Sequence, residues 1–150
     1  MKKLFRKITI GLLTITMLLS SGIIASAAEI TDDNIMPYYT NCNKCSLSFT
    51  VSDPGEAHVG ITYNAKSDVF SEARVTVKIQ KKFLGLFWKT VDIGLTNNEW
   101  TDSSTNINGY FYNSFDVDGT GTYRAIFTVQ IIGTDGSVDL IEETIESKYS

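Results

Sequence analysis

Two cysteines three residues apart, Cys42-Asn43-Lys44-Cys45, are the first residues along the chain with the chemistry to hold a metal, pass electrons or close a short disulfide. Zinc asks for four ligands, and the chain adds a single histidine, His58, and no second cysteine pair. A thioredoxin-like motif needs a strand before it and a helix after it. Here an acidic lead-in precedes the pair and an alternating strand pattern follows. A local disulfide between Cys42 and Cys45 is the leading reading, with free or intermolecular thiols and metal or redox chemistry as the alternatives. So short a loop constrains the unfolded chain little, and the gain in stability would be modest. His58 follows Ala57 where a strand pattern starts, which makes it a surface or strand-edge residue. A hydrolase built on it would need a serine and a carboxylate around the ring. Serines are plentiful, but none stands in a Gly-x-Ser-x-Gly elbow.

Asp116-Val117-Asp118-Gly119-Thr120-Gly121 looks like the front of a calcium loop. That loop also needs a ligand at its fifth position and a bidentate glutamate at its twelfth. Thr120 and Phe127 stand there, so the segment reads as a turn leading to Tyr123. Paired carboxylates for glycoside chemistry would have to come from different strands. The sequence therefore predicts no catalytic residue, no cofactor and no metal. Its most unusual stretch is Lys81-Lys82-Phe83-Leu84-Gly85-Leu86-Phe87-Trp88-Lys89. Two strands meet here, and alternation can turn only about half of Phe83, Leu84, Leu86, Phe87 and Trp88 inward. Two readings follow. Either the tip folds over the open end of the core, or it is a contact surface for a protein, a glycan or a lipid interface.

The elements that position these residues alternate with period two, the strand signature. Leu47, Phe49 and Val51 form one set, and Val59, Ile61 and Tyr63 the next, with the turn Ser52-Asp53-Pro54-Gly55 between them. Ala73, Val75, Val77 and Ile79 make the cleanest half-buried strand, with the run from Phe87 to Ile93 as its hairpin partner. A polar stretch, Thr96 to Asn108, separates these from Tyr110 to Phe115. Tyr123, Ala125, Phe127, Val129 and Ile131 alternate next, and Thr134-Asp135-Gly136-Ser137 turns the chain into Val138 to Ile145. The β-branched Val138, Ile141, Thr144 and Ile145 favour a strand there over a helix. About seven short strands separated by turns specify an all-β, immunoglobulin-like antiparallel sandwich. Gly121-Thr122-Tyr123 after a turn is the way a tyrosine corner enters a long strand of such a fold.

The chain starts with four basic residues among Lys2 to Lys7, an apolar run from Ile8 to Leu19, and small residues ending in Ala25-Ser26-Ala27. These are the three regions of a signal peptide, 1–27, cut after Ala27. A retained span would need about 20 apolar residues, and Ser20, Ser21 and Gly22 dilute the run too early. Residues 28–40 read as a flexible, acidic lead-in, and 41–150 as the sandwich domain. Cleavage removes four of 13 basic residues and none of 17 acidic ones, leaving nine against 17. A net charge of −8 argues against nucleic acid and against electrostatic attraction to anionic lipid.

Several residues in order, Gln80-Lys81-Lys82, Leu84-Gly85, Trp88-Lys89-Thr90-Val91, Gly121-Thr122-Tyr123-Arg124, Glu142 and Lys148-Tyr149, resemble a family of small secreted β-sandwich proteins of Gram-positive bacteria, of unknown function. The resemblance covers roughly residues 40 to 149 and implies a signal peptide, one sandwich and export. Ile79 stands where that family usually has leucine, and His58 near where a second cysteine tends to fall, which sets a shared inter-strand disulfide in doubt. The sequence-based reading is a secreted, non-enzymatic binding module for a protein or glycan at a cell envelope or host surface, without stable membrane insertion. A small secreted hydrolase and a structural matrix protein are the alternatives.

Overall fold

Period-two alternation leaves each strand with one apolar face, and burying eight such faces calls for two sheets face to face. The computed structural model describes residues 39–150 and shows this sandwich. The signal-peptide reading, and the lead-in up to residue 38, lie outside the described residues.

The strands are β1 (Cys42–Ser52), β2 (Glu56–Ala65), β3 (Phe70–Phe83), β4 (Phe87–Thr90), β5 (Glu99–Ser104), β6 (Asn108–Asp116), β7 (Gly121–Gly133) and β8 (Val138–Tyr149). One sheet has the order β1-β2-β6. The other runs β4-β3-β7-β8, with β5 also pairing to β3. All pairings are antiparallel. The chain crosses between sheets after β2, after β5 and after β6. β4 pairs with Gln80–Phe83 and β5 with Ala73–Lys78, so two short strands in tandem make up that edge of the sheet. Among the described residues no helix is long and apolar enough to cross a membrane.

The core follows the predicted alternation closely. Ala73, Val75, Val77 and Ile79 of β3 meet Tyr123, Ala125, Phe127, Val129 and Ile131 of β7, all essentially without solvent exposure. Ala57, Val59, Ile61 and Tyr63 of β2 supply the opposing layer. The tyrosine corner is present: the Tyr123 hydroxyl is within 2.6 Å of both the Asp118 and the Gly119 carbonyl oxygens. Bonded to that turn, the hydroxyl of a fully buried ring pins the β6–β7 connection to the end of the core.

Three features differ from the sequence reading. β1 starts at Cys42, so the cysteine pair lies within a strand and not ahead of one. The end of the lead-in is held fast: the Thr40 and Asn41 amides donate to the Asp139 carboxylate, and Lys66 Nζ donates to the Tyr39 carbonyl. Within the polar stretch 96–108 runs β5, whose sole buried side chain is Trp100, packed edge-on to Phe115 at 6.2 Å. One tryptophan suffices to anchor an edge strand whose remaining side chains stay wet.

Candidate functional site

The β3–β4 hairpin ends in the rung Phe83↔Phe87, and the Leu86 amide donates to the Phe83 carbonyl at 3.1 Å to close the turn. Leu84 and Gly85 between them have φ of 50° and 70°, the positive signs of a type I′ turn. Glycine adopts this conformation freely, whereas a leucine there carries roughly 1–2 kcal/mol of backbone strain. Asparagine is the usual choice at that position. The apex is also wet: Phe83, Leu84, Leu86 and Phe87 are 56, 77, 75 and 65 % exposed. Of the two sequence readings of this tip, capping the core does not describe these four residues. Trp88 differs. It lies half-buried on the outer face of the sheet, with the Arg124 guanidinium 4.2 Å and Lys82 Nζ 5.3 Å from its ring centre. Gln80 Oε1 accepts from Arg124 Nε and Nη2 at 2.8 and 2.6 Å and so fixes the guanidinium plane. Arginine on an indole face is a favourable stack. Arg124 had no assigned role in the sequence, because its register opposite Gln80 is a tertiary fact.

Beneath the tip lies an open cleft of about 480 Å³ lined by Lys81, Lys89, Asp92, Asp116, Asp118 and Tyr123, among others. Lys81 Nζ donates to the Asp118 carbonyl and is 5.2 Å from the Tyr123 ring centre. An ammonium thus covers the carbonyls of the segment that looked like a calcium loop, and that segment is the turn of the tyrosine corner. Among the described residues no three His, Cys, Asp or Glu side chains gather as a metal site would require.

His58 faces outward on β2. Its Nε2 is 3.0 Å from Ser52 Oγ, and its Nδ1 is 2.8 Å from the Tyr112 hydroxyl. A catalytic histidine uses its second nitrogen to face a carboxylate that stabilises the imidazolium. Here a neutral phenol takes that place, and the nearest acid, Glu56, is 3.8 Å from the serine-side nitrogen. Tyr112 in turn lies 6.2 Å from Tyr110, with their planes 16° apart, so His58, Tyr112 and Tyr110 make an outward aromatic row. Alternation about the buried Phe111 was the sequence signal for that row.

Cys42 and Cys45 are free thiols. A β-bulge between Cys42 and Lys44 adds a residue to β1, so both side chains turn inward although they are three apart. Burial pushes the Cys45 thiol up to about 12, with Cys42 and Glu143 adding to it. Burial also raises Cys42. Since the thiolate is the nucleophile, the reduced native protein is expected to react with iodoacetamide at pH 8 far more slowly than the urea-unfolded chain. Equal rates would show the pair to be open to solvent. Folding favours the protonated thiols, so their contribution to stability is complete below the ordinary value of 9.0 and is lost as pH rises from there towards about 12. Urea midpoints should therefore fall over that range, and less steeply in Cys45→Ala. No family model and no curated protein matches the chain.

Proposed function

We propose that the protein is a secreted, non-enzymatic binding module that makes contact through the β3–β4 tip. The observation that carries this reading is the exposed apex: four large apolar side chains in water, one of them at a strained backbone position. Apolar burial contributes about 25 cal/mol per Å², so leaving these groups wet forgoes stability that a core-facing tip would have gained. Strain and exposure that persist together mark positions kept for another purpose. Export is supported by the leader pattern of residues 1–27, and membership of a secreted Gram-positive family by the motifs from Gln80 to Tyr149.

The test is the double variant Leu84→Ser, Phe87→Ser. Both side chains are largely exposed, so its melting temperature should match that of the parent within the range of ordinary surface changes, about 0.5 kcal/mol. Attachment of the purified protein to cell-envelope or host-surface fractions should be lost. Unchanged attachment by a folded double variant would sink the reading.

A further inference from the structure

The rungs of the hairpin are ordered from apolar to charged. Leu84 and Leu86 flank the apex, Phe83↔Phe87 come next, then Lys82↔Trp88, then Lys81↔Lys89. At about 3.3 Å per residue the apolar part is some 5–10 Å deep, the depth to which interfacial segments enter the boundary between lipid headgroups and acyl chains. With the apex at that depth, Trp88 falls at the interface, where an indole is favoured, and Lys82 and Lys89 fall among the phosphates. Arg124, stacked on Trp88, joins them.

The charge distribution points the same way. The chain from residue 39 onward carries nine Lys and Arg, and four of these, Lys81, Lys82, Lys89 and Arg124, surround this hairpin. Farther from the tip on β3, Arg74 and Lys78 are paired with Glu72 and Glu99 at 2.8 and 2.7 Å. Among the described residues none of the four tip cations lies within ion-pair distance of a carboxylate. An overall acidic balance thus conceals a local cationic collar next to an apolar apex, although Asp92, Asp116 and Asp118 line the cleft shared by Lys81 and Lys89. A protein partner is a poorer match, because a stable protein interface takes about 800 Å² from each side, spread over 20–30 residues. A convex turn of five residues offers much less.

We infer that the tip docks on an anionic lipid surface, with Leu84, Leu86, Phe83 and Phe87 entering the headgroup boundary and Lys82, Lys89 and Arg124 meeting lipid phosphates. This rests on the tip being the contact site and names its partner. Attachment is peripheral and reversible. It departs from the expectation drawn from net charge alone, that anionic lipid would not attract the chain, because it weighs the local placement of the cations.

The experiment is co-sedimentation of protein, purified after expression of the full chain, with phosphatidylcholine vesicles with or without phosphatidylglycerol. Trp88 emission is read in parallel; the other tryptophan, Trp100, is only 8 % exposed. Binding to the anionic vesicles, a blue shift and reversal by high salt are expected. Leu84→Asn with Leu86→Ser should weaken partitioning by at least about tenfold. Asparagine suits the positive φ, so this variant keeps the turn. Lys82→Glu with Lys89→Glu should cost about fivefold per lysine removed. Absence of binding to anionic vesicles overturns the lipid assignment. If the Leu84→Ser, Phe87→Ser protein nonetheless loses envelope attachment, the tip remains the contact site for a different partner; if it does not, both readings fall.

Discussion

Asp139→Ala is expected to lower the stability of the sandwich by about 3–5 kcal/mol, a large part of the 5–15 kcal/mol that a domain of this size has. Among the described residues Asp139 is the one buried carboxylate, 8 % exposed near the start of β8. Its oxygens accept from three successive backbone amides, Thr40, Asn41 and Cys42, at 2.9, 2.6 and 2.9 Å. Those amides lead into the start of β1, which lies in the other sheet, so a single side chain ties two sheet edges together. Hydrogen bonds to an ionised acceptor contribute about 1.5–3 kcal/mol each, and a buried amide left without a partner costs about 1–3 kcal/mol. Thr40 is exposed and can turn to water, whereas Asn41 and Cys42 are 0 and 3 % exposed and cannot. Two orphaned amides therefore set the scale.

Asn41 makes the loss harder to absorb. Its amide nitrogen donates to the Ile131 and Ser137 carbonyls at 3.1 and 3.2 Å, so the segment cannot slide to find new partners without breaking those bonds too. Asp139→Asn keeps one acceptor oxygen and should lose about half as much. Chemical denaturation gives the free energies, and hydrogen exchange should show the Asn41 and Cys42 amides deprotected first. A change below about 1 kcal/mol for the alanine variant would mean that water replaces the carboxylate at this edge.

The clamp shows where sequence reading reaches its limit. Its partners are 97 to 99 residues apart, and no local pattern announces it. The long strands β3 and β7 were legible because alternation reports a half-buried sheet directly, and the tyrosine corner because its cue is local. β5 was not, because only Trp100 among its six residues is buried. The bulge in β1 was hidden for a related reason: three-residue spacing puts Cys42 and Cys45 on opposite faces of a regular strand, and only the extra residue turns both inward. At the tip, alternation showed that only about half of the five apolar side chains can turn inward but could not decide between a cap and a contact surface. That choice depends on whether the hairpin extends past the end of the sandwich, which is set by the length and register of β3 and β4. The collar around it needed Arg124 from β7, brought opposite Gln80 by the same register.

Gly109→Ala should be comparably damaging, about 3–5 kcal/mol, although it adds a single methyl group. Gly109 of β6 stands directly opposite Tyr63 of β2, and the Tyr63 ring lies over it, so that an added Cβ would overlap the Cε1–Cζ–hydroxyl edge of the ring. The ring has no room to retreat. It is 4 % exposed, stacks on Phe111 at 5.7 Å and contacts Phe70 at 6.1 Å. Its hydroxyl donates to the Asn106 carbonyl at 2.7 Å. An aromatic ring lying across a glycine in the neighbouring strand covers backbone that would otherwise be bare, and the pair fixes the register of an edge strand. Alanine at 109 must either expel Tyr63 into solvent, losing the burial of a large aromatic, or pull β6 away from β2. A double-mutant cycle separates this clash from a general intolerance of β6 to alanine. Tyr63→Ala alone should destabilise, but Gly109→Ala added to it should cost nothing further, since the ring that obstructs the methyl is gone. Additive losses would place the cost in the glycine backbone and not in the ring.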